Sequence, residues 1–139
     1  MIGVIFGEKG SGKTKQILNL ANGAAKEARG SIVFIDDEDS YMFDLNSSIR
    51  FINAKEYSII SPRMLYGFLC GLAASDFDLE YIYIDGLMNF IHTELPTLSE
   101  FFAQIDDLAK KRGIHVIFSV SGSADEIPSF MKEYVLQAD

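Results

Sequence analysis

The segment Gly7-Glu8-Lys9-Gly10-Ser11-Gly12-Lys13-Thr14 constrains this chain more than any other feature. Glycines at positions 7, 10 and 12 open backbone conformations that other residues avoid, so the segment reads as a tight loop. The apolar run Ile2 to Phe6 precedes it and has the character of a buried strand. After it, Ile17, Leu20, Ala21, Ala24 and Ala28 recur at helical spacing, and Gly30 is expected to close that helix. A buried strand, a glycine-rich loop and an amphipathic helix in direct succession form the opening of an α/β domain.

The rest of the chain continues the alternation. SIVFID at 31–36 predicts a second buried strand, and an acidic cluster follows it at Asp36, Asp37, Glu38 and Asp39. The pattern weakens between residues 40 and 60, where Arg50 to Ile52 and Tyr57 to Ile60 read as short strands. Ser61 and Pro62 suit an N-cap and first turn, and Leu65, Phe68, Leu69, Leu72 and Ala73 make one apolar helix face. YIYID at 81–85 is the next strand. Thr97 and Glu100 have capping-box spacing before a helix whose inward face is Leu98, Phe101, Phe102, Ile105, Leu108 and Ala109, with Gly113 at its end. HVIFSVS at 115–121 is the last clear strand. A short helix near Pro128 and a strand at Tyr134 to Leu136 are expected in the tail.

Strands that are apolar on both faces and alternate with helices imply a single three-layer α/β/α domain with a mainly parallel central sheet over residues 1–139. Ligands of such sheets sit at the carboxyl ends of the strands, where Gly7, Asp36 to Asp39, Asp85 and Ser121 would lie. Few residues remain to pair beside the first strand, and an uncovered apolar edge invites association, so a homo-oligomer is expected. A formal charge of −8 disfavours nucleic acid, whose phosphates are held by Lys and Arg. The lone Cys70 excludes an internal disulfide and reads as a small buried hydrophobe, while His92 and His115 lack metal-ligand spacing. No charged leader and no apolar run of roughly 20 residues is present, so no membrane span and a cytoplasmic location are expected.

GEKGSGKT matches G-x-x-x-x-G-K-[ST] in full, in the strand–loop–helix context that gives the pattern its meaning, and is read as a P-loop binding a nucleoside triphosphate, with Mg-ATP expected. All eight residues, Gly7, Glu8, Lys9, Gly10, Ser11, Gly12, Lys13 and Thr14, belong to the cradle. Its amides and the positive end of the following helix face the phosphates, and Lys13 reaches the β and γ groups. The Thr14 hydroxyl is a hard oxygen suited to Mg²⁺, and Asp85, closing the apolar run YIYI, is the matching strand-end carboxylate. The plain alternative for Asp85 is an Asp-Gly turn with Gly86. Hydrolysis needs a further group to deprotonate or orient water. Because Gly86 rather than a glutamate follows Asp85, that group is sought at Glu38, with Asp36, Asp37 and Asp39 as competitors and a solvated acidic turn as the bland alternative.

At these residues the chain resembles the RecA-like ATPases. FIDDE at 34–38 is similar to the family's FIDAE-like strand end, YIYIDGL at 81–87 to its magnesium-binding strand, and LAKKRGIHVIFSVS at 108–121 to its following helix and strand. The resemblance implies Glu38 as catalytic base, Ser121 or secondarily Ser119 as phosphate sensor, and a minimal nucleotide-binding core without the recombinases' DNA-binding loops. It also implies ATP hydrolysis coupled to a partner protein, with Arg50 or Arg63 as candidate arginine fingers against the more ordinary reading of surface arginines. Other readings are a non-hydrolysing nucleotide-binding or regulatory module and a thymidine-kinase-like phosphotransferase, whose loop GxxxSGKT is similar but whose four-cysteine zinc site is missing here. The pilus-retraction ATPases of twitching motility share a similar loop and no more.

Overall fold

The computed structural model describes the backbone of residues 1–138 and the side chains of residues 1–136. Its regular elements are β1 (Ile2–Gly7), α1 (Lys13–Ala25), β2 (Ser31–Asp36), β3 (Ile49–Asn53), α2 (Pro62–Ser75), β4 (Leu79–Ile84), α3 (Leu87–Phe90), α4 (Ser99–Arg112), β5 (His115–Ser121) and β6 (Val135–Ala138), joined by loops and short 3-10 turns. Among the described residues the strands form one six-stranded sheet, ordered β3-β2-β4-β5-β1-β6, in which every pairing is parallel.

The direction of travel along this sheet decides where the helices lie. From β1 the chain crosses over β5 and β4 to β2, carrying α1; through α2 and α4 it then returns from β3 to β4 to β5. Parallel crossovers are right-handed, so opposite directions of travel place helices on opposite faces. On one face Ile17, Leu18 and Ala21 of α1 pack with Ile5, Phe34 and Ile117. On the other, Leu65, Leu69 and Ala73 of α2 and Phe101, Phe102 and Ile105 of α4 pack with Val4, Phe6, Ile35, Ile84 and Phe118. Successive strand residues therefore supply alternate faces, and all six residues of β1 are buried.

Several local expectations are revised. Helix α1 ends at Ala25, five residues before Gly30, because Lys26 donates to Gly23 O at 3.2 Å and tightens the last turn. Gly30 serves a different purpose. A Cβ there would stand 2.0 Å from the Asp78 carbonyl oxygen, the same oxygen that accepts from Ser31 N–H at 2.8 Å. Tyr57 to Ile60 is not a strand: Ala54–Tyr57 is a 3-10 turn, Ser58 is left-handed at φ 54, and only Ile59 of the pair Ile59–Ile60 is buried. Thr97 and Glu100 make no capping box, since a 3-10 turn at Leu95–Leu98 precedes α4 and Thr97 Oγ1 donates to Glu94 O at 2.6 Å. Strand β6 pairs with β1, so the edge expected to be open is covered, and that argument for a homo-oligomer lapses. Cys70 is half-buried rather than buried.

Other expectations hold. Ser61 Oγ accepts from Met64 N–H at 3.2 Å with Pro62 in the first turn, and Gly113 ends α4 at φ 67. No helix among the described residues is long and apolar enough to cross a membrane.

Two glycine substitutions should act in opposite directions. Gly30→Ala forces the β2 entry away from Asp78 and is expected to cost about 1–3 kcal/mol. Gly67→Ala, in mid-helix with nothing within 4 Å of the added Cβ, is expected to stabilise by about 0.5–1 kcal/mol. Urea midpoints measure both, and equal midpoints would contradict the close approach at Gly30.

Candidate functional site

The glycine-rich loop turns where its glycines allow it. Gly10 and Gly12 sit at φ 82 and φ 93, a region that favours glycine, and Ser11 N–H bonds to Glu8 O at 3.1 Å across the turn. Gly12 is the N-cap of α1, so the first-turn N–H groups of that helix, which have no intrahelical partner, face the mouth of the loop. Lys13 is only 8% exposed, and its Nζ donates to Glu8 O at 2.8 Å, curling the ammonium over the loop.

Thr14 and Asp85 lie 71 positions apart and meet directly, Thr14 Oγ1 donating to Asp85 Oδ2 at 2.9 Å. The sheet makes this contact possible: β4 and β1, the strand that leads into the glycine-rich loop, flank β5, and Asp85 follows the last residue of β4. Ser119 of β5 completes the anchoring. Its Oγ donates to Asp85 Oδ1 at 2.5 Å and accepts from Gly86 N–H at 2.7 Å. Both Asp85 oxygens are thereby oriented, and Asp85 and Ser119 are both buried. Gly86 takes φ 66, a left-handed conformation that favours glycine, and a Cβ on it would come within 2.6 Å of the Asn89 side-chain amide.

A cleft of about 170 Å³ brings Lys13, Thr14, Asp85, Glu38 and Ser121 together, with Asp36 beside them. Glu38 is exposed at its rim and makes no side-chain hydrogen bond or ion pair among the described residues. Ser121 lines the cleft half-buried, opposite Gly7 in the β1–β5 register, whereas Ser119 is held against Asp85. Asp36 is the unusual member. It is 2% exposed, its Oδ1 accepts from Asp37 N–H at 2.7 Å, and its Oδ2 is buried without a partner. Burial foremost, with the neighbouring Asp37 and Asp85 contributing, pushes its carboxyl up to about 8.

A larger cavity of about 550 Å³ adjoins the loop, lined by Gly12, Thr14, Lys15, Leu18, Tyr41 and Asp44. Tyr41 borders both spaces. The segment carrying it is tied to α1 through Asn22, which donates to Asp44 O and accepts from Asn46 N–H at 2.9 and 2.7 Å. Arg50, on edge strand β3, and Arg63, at the start of α2, are exposed and line neither space.

Sequence reasoning passed over Tyr41 and Asn22, because neither belongs to a motif and their placement depends on how the 40–46 segment folds back on α1. Asp36 and Ser119 were visible only as second choices. The signal in Asp36 was its position as the last residue of an otherwise apolar strand, which makes it more deeply placed than Glu38.

The donor set suits a hard divalent cation. Thr14 and Asp85 offer two adjacent oxygens, and Mg²⁺ characteristically takes one or two carboxylates and completes its shell with water and phosphate. Among the described residues no three His, Cys, Asp or Glu side chains group as a self-sufficient metal cage.

A small α/β domain with a parallel sheet, a glycine-rich loop after β1 and acidic strand ends beside it is compatible with a P-loop fold. No protein-family model matches the chain, and no curated protein matches it in sequence.

Asp36 gives the stability a definite pH dependence. Folded, it keeps its proton up to about pH 8, while unfolded it releases it near 3.8. The unfolded state thus binds fewer protons across this window, and this contribution to stability is lost as pH rises through it. Asp36→Asn removes the effect, so the variant should gain on the order of 1–3 kcal/mol over the parent at pH 9 relative to pH 4.5. Parallel stability–pH curves from urea melts of the two proteins would refute it.

Proposed function

We propose that the chain binds Mg-ATP in the loop Gly7 to Thr14 and hydrolyses it, as a small ATPase of the RecA-like kind coupled to a protein partner. The observation that carries this reading is the Thr14–Asp85 contact, made between a loop of the full G-x-x-x-x-G-K-[ST] pattern and a neighbouring strand end. In this reading the loop amides and the α1 N-terminus take the phosphates, and Lys13 exchanges the Glu8 carbonyl for a phosphate oxygen. Thr14 and Asp85 hold the magnesium ion, whose charge offsets the negative charge of the transferring phosphoryl group. Glu38 takes the proton of the attacking water, giving ADP and phosphate, and Ser121 contacts the phosphate from the end of β5. The nucleobase and ribose occupy the larger cavity, between Leu18 and Tyr41.

A second reading, a nucleotide-binding module that does not hydrolyse by itself, is favoured by one observation. Glu38 stands exposed, with no side-chain partner among the described residues to orient it. A base that nothing orients is a weak catalyst until another surface completes the site.

Calorimetric titration with ATP, GTP and ADP in Mg²⁺, followed by phosphate release from the same samples, separates these readings. Lys13→Ala should weaken ATP binding by at least about 100-fold, the loss of a charged hydrogen-bonded pair worth about 3 kcal/mol. Unchanged affinity would sink the assignment. Turnover by the parent with binding but no turnover by Glu38→Gln supports the ATPase; tight binding without turnover in both supports the module.

A further inference from the structure

Asp36 is left without a role by the preceding scheme, although it is the most deeply placed carboxylate of the cleft. It ends β2, next to β4, and its immediate surroundings include Lys13, Thr14 and Asp85 around the same 170 Å³ space. One oxygen is committed to the Asp37 amide; the other is buried and makes no hydrogen bond, and the residue itself lines that cleft. A buried oxygen without a partner is costly, and one retained in a native fold calls for a reason, a bound ion or its water among them. Glu38, by contrast, is exposed at the rim and has no such constraint.

We propose that Asp36 is a positioning residue for the divalent cation of this site, its free Oδ2 accepting a hydrogen bond from the hydration shell of the ion held by Thr14 and Asp85. The proposal rests on the Mg-nucleotide reading of the cleft and extends it to a second carboxylate. The geometry supports an outer contact, because Asp85 Oδ2 already meets the Thr14 hydroxyl while Asp36 reaches the cleft from the adjacent strand. Hydrated Mg²⁺ keeps several waters, and these need fixed acceptors around them; Asp36 becomes one as the cation's charge arrives and its carboxyl proton passes to solvent.

The test measures the affinity of the chain for a non-hydrolysable ATP analogue by calorimetry, once with excess EDTA and once with Mg²⁺; the ratio is the gain due to the cation. Asp36→Asn keeps the oxygen that caps the Asp37 amide and replaces only the second, unpartnered oxygen, so a merely structural role would leave the ratio unchanged. The expected result is an affinity in EDTA within about twofold of the parent and a cation-dependent gain reduced by about 10–100-fold. Glu38→Gln should keep the parent's gain. Asp36→Ser provides a second variant if thermal melts show Asp36→Asn to be poorly folded. A full gain in the Asp36 variants overturns the proposal, as does loss of the gain in Glu38→Gln alone. Parent protein that binds the analogue equally with and without Mg²⁺ overturns the cation site while leaving nucleotide binding standing. Parent protein that binds in neither condition removes the nucleotide reading itself, and the proposal with it.

Discussion

A sheet whose strands all run parallel cannot leave either face to water, because its strands are apolar on both sides and each connection must carry the chain back over a face. Most of this molecule follows from that constraint. Reversal of travel after β3 leaves α1 over Ile5, Phe34 and Ile117 and sends α2 and α4 to the opposite face, over Val4, Phe6 and Phe118. Parallel strands also end at the same side, which gathers the residues after β1, β2, β4 and β5 at one edge. The order β2-β4-β5-β1 sets the neighbours at that edge: Asp36 beside Asp85, Asp85 beside Ser119, and Ser121 beside Gly7.

The polar groups at the edge are treated unequally. Asp85 is buried yet fully engaged, one oxygen with Ser119 and the other with Thr14, so its geometry is set before any ligand arrives. Asp36 is equally buried with one oxygen unpartnered, and it carries the strain of that burial in a carboxyl pushed up to about 8. On the proposed reading, an oriented carboxylate beside an under-satisfied one is a sensible division, since an incoming positive charge would offset the cost of burying Asp36. Lys13 is likewise held at the loop, where its ammonium rests on Glu8 O.

Wherever a physical signal was local, the sequence was legible. The loop with its flanking strand and helix, the strands at 31–36 and 115–121, the Ser61–Pro62 helix start and the Gly113 stop each rest on neighbouring residues, and each is present. Errors fell where a distant partner outweighs local chemistry. Gly30 looked like a helix stop and is instead a point of close approach to Asp78; Thr97 is a different case, a choice between two local partners that its bond back to Glu94 O decides. The strand expected at Tyr134 to Leu136 is found at Val135–Ala138, but nothing nearby in sequence indicates that it closes the edge beside β1.

By itself, then, the sequence determined the layered α/β class, the loop Gly7 to Thr14 and the strand-end residues Asp85 and Ser121, because periodicity and a contiguous motif are properties of short stretches of chain. The tertiary structure alone decided that Thr14 and Asp85 touch, that Ser119 anchors the carboxylate rather than facing the cleft, that Asp36 is buried while Glu38 is exposed, and that Tyr41 borders both cavities. These are relations between segments tens of residues apart, and strand order, which no local pattern encodes, sets them.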